Sequence, residues 1–257
     1  MRAVDGGGDG PIAVLLPGSG SSADFVLRAF GAALDGAGYR LVAPAPRPGA
    51  EVAAAALSDL DAAARSHPDA LVGGISLGAH LAARWAAGVA SPDANAAGAG
   101  GDGADGTGRP RMAGLVLALP AWTGAPGSVA AASAMAAAGV ERHGAAAALR
   151  VAAAAGGPRW VIDELAASWP GYGADLAATL RATAVTPGPT AAQLSRIEVP
   201  VGLVGFRDDP MHPAAVAEEW AALLPRCAVE WLRLADLADD RSLLGAAAVR
   251  AWRRAAS

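Results

Sequence analysis

The residue best suited to chemistry lies in the short segment GISLG at residues 74–78. This segment has the pattern Gly-x-Ser-x-Gly; an apolar run at residues 70–72 precedes it, and an alanine-rich stretch with helical spacing follows it. A serine at a sharp strand-to-helix turn is held in a strained conformation that exposes its hydroxyl. Glycines on either side avoid collisions across such a turn. We therefore predict that Ser76 is a nucleophile.

Buried strands and amphipathic helices must position this serine. Strand patterns occur at residues 12–16, 39–43, 70–72, 112–119, 199–205 and 228–234, and the continuous apolar run at 12–16 is typical of a strand buried on both faces. Helical spacing occurs at residues 25–34, 51–65, 214–224 and 242–253. Strands that alternate with helices predict an α/β fold, a mostly parallel central sheet with helices on both faces.

The chain is long enough for one large α/β domain over residues 1–257. Within it, residues 121–197 show helices separated by glycine and proline and little strand signal, which predicts a helical cap insert. Residues 91–111 are dense in glycine, aspartate and alanine and lack periodicity, so we expect a flexible surface insertion there.

Over most of its length the chain resembles the α/β-hydrolase superfamily. The resemblance rests on features that occur in order: a strand that ends in PGSG at residues 17–20, the serine turn, the helical insert after Leu119 and the acidic turn RDDP at residues 207–210. The serine pattern alone is a weak signal for this fold. Its occurrence in order with the other features makes the signal specific. The resemblance implies the α/β-hydrolase fold and attack by Ser76 on a carbonyl carbon.

The resemblance also implies residues for the rest of the site. Attack on a carbonyl builds negative charge on its oxygen, and fixed backbone N–H groups stabilise that charge. One donor of this oxyanion hole would be the N–H of Leu77, and the other that of Ser19 or of its neighbour Gly20. The acid that orients the catalytic histidine would be Asp208, with Asp209 as the alternative.

The catalytic base is where the sequence departs from the family pattern. The family usually supplies a histidine after the last strand, but residues 235–241 contain none, and Asp239 stands near the expected position. A carboxylate, with a reference pKa of about 4, is a poor substitute. His212 follows Asp208 closely, and it is the best replacement if its loop folds inward. The alternative is that His212 only packs within a turn.

The other three histidines fit the role of base less well. His80 lies in the predicted helix after Ser76, where packing or hydrogen bonding is expected. His143 lies in the predicted insert and is expected at a solvated helix end. His67 precedes the serine strand, so we expect it at the opposite edge of the sheet.

Composition excludes several classes of function. The net charge is −4, all 20 basic residues are arginine, and no basic stripe occurs, so nucleic acid is not an expected partner. The single Cys227 excludes an internal disulfide. No metal-ligand spacing and no phosphate loop is present, so we expect no metal and no cofactor. No signal peptide or membrane-spanning stretch is visible, which predicts a cytoplasmic protein without membrane contact.

The sequence therefore predicts a serine hydrolase that acts on an ester, a thioester or a similar carbonyl of a small-molecule substrate. Four aromatic residues of the insert either anchor it to the sheet or wall a pocket for a modestly apolar substrate: Trp122, Trp160, Trp169 and Tyr172. The alternative is a hydrolase-fold protein whose catalysis is weakened or lost and which binds a ligand or partner. The distance from the Ser76 hydroxyl to the nearest imidazole nitrogen distinguishes the two. The oligomeric state stays open.

Overall fold

The computed structural model describes residues 3–5, 10–88 and 111–257. These residues form a seven-stranded sheet. The strands are β1 (Ala3–Asp5), β2 (Ile12–Leu16), β3 (Arg40–Pro44), β4 (Leu71–Ile75), β5 (Gly114–Ala118), β6 (Val201–Phe206) and β7 (Cys227–Leu232). Their spatial order is β1-β3-β2-β4-β5-β6-β7, and every neighbouring pair is parallel except β1 with β3. The predicted α/β class with a mostly parallel sheet is confirmed.

Helices cover both faces of the sheet. They are α1 (Ala23–Asp35), α2 (Val52–Ser66), α3 (Leu77–Ala86), α4 (Ser128–His143), α5 (Ala145–Ala154), α6 (Arg159–Ser168), α7 (Leu176–Val185), α8 (Ala191–Leu194), α9 (Ala214–Leu223) and α10 (Ser242–Ala256). Side chains of α2, α3 and α9 share one apolar core with one face of the strands, and side chains of α1 and α10 share another with the opposite face. Because both faces are covered, β2, β4, β5 and β6 are buried along their whole length.

The strand bounds expected from the sequence patterns lie within a few residues of the observed strand bounds. The sequence patterns missed β1, a three-residue strand that pairs antiparallel at the edge of the sheet. Its short run is too brief to show a period. The predicted flexible insertion at 91–111 lies outside the described residues, apart from Arg111.

The segment between β5 and β6 is helical and comprises α4 to α8, with a 3₁₀ helix at Trp169–Asp175 between α6 and α7. It is hydrogen-bonded to the loop that follows β2. Ser168 Oγ donates to the carbonyl of Gly20 over 2.6 Å, and Tyr172 Oη donates to the carbonyl of Ser21 over 2.6 Å. These insert residues therefore lie over the carboxyl end of β2.

The order of the strands creates a crevice at that same end. The chain adds β3 on one side of β2 and then β4 on the other, so helices α1 and α3 leave toward opposite faces. In open parallel sheets, ligands bind where the strand order reverses in this way, outside the carboxyl ends of the strands. None of the helices in the described part of the chain combines the length and apolar character that a membrane span needs.

Candidate active site

Ser76 lies at the abrupt turn between β4 and α3. Its φ of 54° and ψ of −115° are strained for a residue with a side chain. The flanking glycines make the turn sterically possible. A Cβ on Gly74 would lie 2.6 Å from the carbonyl carbon of Gly78, and a Cβ on Gly78 would lie 2.7 Å from the Pro17 oxygen. The expected geometry of Ser76 is therefore present.

The Ser76 hydroxyl contacts a histidine that is remote in the sequence. His212, in the loop between β6 and α9, places Nε2 2.9 Å from Ser76 Oγ. The other ring nitrogen, Nδ1, lies 2.6 Å from Asp209 Oδ2. The side chains of His212 and Asp209 are 19% and 7% exposed, so both are largely shielded from water. Serine, imidazole and carboxylate thus form one continuous hydrogen-bonded chain.

Asp209 is held in place by its own loop. Its Oδ1 accepts a hydrogen bond from the backbone N–H of Met211 over 2.8 Å. Burial works to raise the pKa of Asp209, but the hydrogen bond to His212, the charge of that ring and backbone N–H donors outweigh it and hold the pKa below its ordinary value. The carboxylate is therefore ionised near neutral pH, as an acceptor for Nδ1–H must be.

Asp208, the acid we expected, does not contact His212. Its Oδ1 accepts from the backbone N–H of Leu234 over 2.9 Å, so its carboxylate joins the loop after β6 to the segment after β7. Adjacent side chains at the end of a strand diverge, and Asp209 therefore takes the inward place. Asp239, near the position at which the resemblance places a histidine, is exposed to solvent. A sequence signal for Asp209 does exist, namely an Asp-Pro pair whose aspartate lies three residues before a histidine.

Backbone N–H groups lie beside the serine on the side of the insert. Leu77 is the first residue of α3, where helical N–H groups lack an intrahelical partner. Gly18 comes so close that a Cβ there would lie 3.5 Å from Ser76 Cβ. No described residue accepts a hydrogen bond from the N–H of Ser19, Gly20 or Leu77. The N–H groups of the expected oxyanion donors therefore have no acceptor among the described residues, and Leu77 directly follows the serine.

A cleft opens beside these N–H groups; Ser19, Gly20 and Leu77 line it, whereas Ser76 and His212 do not. It extends from the loop after β2 to the loop after β3 and the first turns of α2. Its apolar lining consists of Leu16, Pro17, Pro44, Ala45, Pro46, Val52, Ala56, Leu77, Leu81 and the ring of Tyr172. Its polar side chains are Ser19, Arg47, Asp59 and Thr179, together with the Tyr172 hydroxyl. Tyr172 is the only one of the four insert aromatics singled out from the sequence that lines this described cleft.

The remaining three of those aromatics pack elsewhere. Trp160 stacks on Phe25 with 6.2 Å between ring centroids. Trp122 packs edge-on against His80 at 4.6 Å. Trp169 is buried in the core of the insert. The rings of Trp160 and Trp122 therefore attach the insert to the rest of the chain, and that of Trp169 stabilises the insert itself.

The other histidines lie away from the serine hydroxyl. His80 is fully buried in α3, and its Nε2 accepts from the backbone N–H of Ala121 over 2.9 Å and of Trp122 over 3.4 Å. Burial, followed by the charges of His212 and Arg84, lowers the pKa of His80 to about 3. His143 and His67 are exposed at helix ends. Among the described residues, no group of three His, Cys, Asp or Glu side chains could hold a metal ion.

Comparison with known proteins supports the architecture. Neither a family model nor a curated protein sequence matches this chain. Solved structures do match. An enol-lactonase from Burkholderia xenovorans LB400 is 15% identical with a TM-score of 0.63, covering 91% of this chain and 87% of its own. A hydrolase from Pseudomonas aeruginosa PA01 is 22% identical with a TM-score of 0.61, covering 95% and 91%. An esterase from Exiguobacterium antarcticum is 13% identical with a TM-score of 0.64, covering 89% and 85%. At these identities the likeness establishes the fold.

Proposed function

We propose that this chain, which has the α/β-hydrolase fold, is a serine hydrolase that cleaves an ester, a thioester or a similar carbonyl compound. One observation carries the proposal: Ser76 Oγ, His212 and Asp209 form a chain of hydrogen bonds of 2.9 and 2.6 Å. The arrangement has the roles of a nucleophile, a base and an orienting acid, and such a triad is recognised by geometry rather than by chain order.

In the proposed reaction, this chain of hydrogen bonds carries the proton away from the serine during attack. His212 donates Nδ1–H to Asp209, which leaves the lone pair of Nε2 directed at the Ser76 hydroxyl. As Ser76 Oγ bonds to the carbonyl carbon, Nε2 takes the hydroxyl proton and the C=O electron pair moves onto oxygen. The ionised Asp209 stabilises the imidazolium that results.

The backbone donors would stabilise the second charge that develops. The N–H of Leu77, together with that of Ser19 or Gly20, would hold the oxyanion as it forms. Collapse of the intermediate then expels the alcohol or thiol, which takes the proton from His212 and leaves an acyl group on Ser76. Water activated by the same imidazole hydrolyses this acyl-enzyme in the reverse sequence of proton transfers.

The alternative function predicted from the sequence was a binding protein with lost or weakened catalysis. It rested on the absence of a histidine after the last strand. The 2.9 Å contact between His212 and Ser76 supports the catalytic function instead, because the loop after β6 supplies the imidazole.

A fluorophosphonate probe, which reacts with activated serines, tests the proposal together with hydrolysis of 4-nitrophenyl acetate. We expect the folded protein to be labelled at Ser76 and to release 4-nitrophenolate. Ser76→Ala should abolish labelling and lower kcat/KM by about 10³-fold or more. Ser195→Ala, at an exposed serine, is the matched control and should retain both. Folded wild-type protein that resists the probe, or a Ser76→Ala variant as active as wild type, would refute the proposal.

A further inference from the structure

The cleft beside the oxyanion donors has an apolar wall that is interrupted at one place by charge. Arg47, from the loop after β3, and Asp59, from α2, both line it. Arg47 Nη2 lies 3.0 Å from Asp59 Oδ1 and also donates to the carbonyl of Ala55. The Asp59 side chain is 13% exposed, whereas the Arg47 side chain is 55% exposed. The aspartate is therefore the hidden partner, and the guanidinium is accessible to a ligand.

The hydroxyl groups that line the cleft are already hydrogen-bonded. Thr179 donates to a backbone carbonyl of the preceding turn. Ser19 Oγ and Thr183 Oγ1 lie 2.9 Å apart, and either can donate to the other. Tyr172 donates to the carbonyl of Ser21. Each of these hydroxyls therefore already has a hydrogen-bond partner within the protein.

Arg47 differs from these hydroxyls, because only its Nη2 is engaged. A guanidinium presents its N–H groups in a rigid fork, and no described residue accepts from Nε or Nη1 of Arg47. The contacts to Asp59 and Ala55 fix the plane of the guanidinium against α2. Arg47 is thus a cation held on the cleft wall, and its Nε–H and Nη1–H groups can each donate a charge-assisted hydrogen bond to a carboxylate.

Placing an ion pair in an apolar wall costs desolvation energy that a hydrophobic pair would avoid. The buried Asp59 makes structural sense as the group that holds Arg47 ready, since an unanchored arginine would lose more side-chain entropy when a ligand binds. We propose that the substrate of this hydrolase carries a carboxylate group, separate from its scissile carbonyl, that binds Arg47. This inference rests on the proposed function, and it names the substrate class.

Matched ester pairs test it on either side of the scissile bond. The first pair is the mono-4-nitrophenyl ester of glutarate and 4-nitrophenyl valerate, in which a terminal carboxylate replaces a methyl group on the acyl side. The second pair is 4-acetoxybenzoate and 4-methylphenyl acetate, which places the same change on the leaving group. The readout is the charge preference, the ratio of kcat/KM for the charged ester to that for its neutral partner.

We expect Arg47→Met to lower the charge preference in at least one pair by about 10- to 100-fold, because hydrogen bonds to charged groups contribute that much to binding. Arg250→Met is the control, since Arg250 is an exposed arginine that pairs with Glu230 and does not line the cleft. It should keep the wild-type preference. Added salt should lower the preference of wild type but not that of Arg47→Met, because Arg47 is partly exposed.

Removing Arg47 alone leaves Asp59 without its cation, which could unfold the region. The double variant Arg47→Met/Asp59→Asn removes both charges and should show the same loss of preference with a native circular dichroism spectrum. If neither pair shows a preference that depends on Arg47 while the neutral esters are hydrolysed, the carboxylate inference is wrong and the hydrolase proposal stands. If no ester in either pair is hydrolysed and Ser76 resists the fluorophosphonate, the hydrolase proposal itself fails.

Discussion

At the scale of residues, the proposed acid and base lie on one short loop. Asp209 and His212 are separated by one turn of chain, and the backbone N–H of Met211 braces the carboxylate that orients the ring. The distance between Asp209 and the His212 ring therefore depends on a single local structure. Asp208, next in the chain, has a different partner, since it bonds to the N–H of Leu234.

The pair Asp208 and Asp209 offers a matched test of these assignments. Asp209→Asn keeps the shape but removes the charge that stabilises the imidazolium and favours the wrong tautomer of His212, so kcat should fall by about 10²- to 10⁴-fold. Asp208→Asn keeps an oxygen that can accept from Leu234, and kcat should stay within about threefold. Steady-state hydrolysis of 4-nitrophenyl acetate measures both. Equal losses in the two variants, or a larger loss at Asp208, would contradict the assignment.

At the scale of elements, the serine turn depends on close packing of backbone between β4, α3 and the end of β2. Gly78 lies in the first turn of α3, against the carbonyls of Leu16 and Pro17. There is no room for a side chain at this crossing. The strain at Ser76 persists because these contacts hold the backbone on both sides of it.

Two glycine-to-alanine substitutions separate packing from helix propensity. Gly78→Ala should lower the free energy of unfolding by about 2–3 kcal/mol, because the new methyl group overlaps the backbone of β2. Gly31→Ala, within α1, meets no atom within 4 Å and should raise the free energy of unfolding by up to about 1 kcal/mol. Urea denaturation measures both. If Gly78→Ala leaves the free energy of unfolding unchanged, β2 and α3 are less tightly packed than described.

At the scale of the whole molecule, α3 connects the sheet to the helical insert. His80 is buried in this helix and accepts the backbone N–H groups of Ala121 and Trp122, where the chain leaves β5 for the insert. Leu119, just before them, has a φ of 58°, so the exit from β5 is strained. Because Nε2 is an acceptor, the proton of neutral His80 resides on Nδ1, which has no described partner.

This buried imidazole predicts how stability depends on pH. The pKa of His80 is lowered to about 3 in the folded chain from an ordinary 6.5, so only the unfolded chain takes up this proton between those values. The contribution of neutral His80 to the free energy of unfolding is therefore present in full above pH 6.5. It decreases as the pH drops toward 3. Between pH 7 and pH 5, wild type should lose about 2 kcal/mol more unfolding free energy than His80→Gln, whose amide oxygen can still accept both N–H groups.

Urea unfolding at the two pH values measures this difference, and comparing changes with pH cancels any fixed cost of the substitution. His143→Gln, at an exposed histidine, is the control and should behave as wild type does. If wild type and His80→Gln lose the same free energy, His80 is protonated in the folded chain and is not buried as described.

Much of the architecture was predictable from local patterns. The apolar runs marked every described strand except β1, and the spacing of glycine around Ser76 indicated the turn, because both depend on residues close together in sequence. His212 was a candidate for the same reason, since it follows an acidic turn after a strand. The position of the acid was left between two neighbours, because which of two adjacent carboxylates faces inward depends on the direction in which the chain leaves β6.

The sequence alone determined the layered parallel sheet, the strained serine and the absence of a histidine after the last strand, since each is encoded by types and spacing of residues within a few positions. The tertiary structure decided that His212 meets Ser76, that Asp209 rather than Asp208 holds the ring, and that Arg47 lines the same cleft as the expected oxyanion donors. These contacts join segments that are far apart along the chain, and only the order of the strands and the packing of helices on the sheet brings them together.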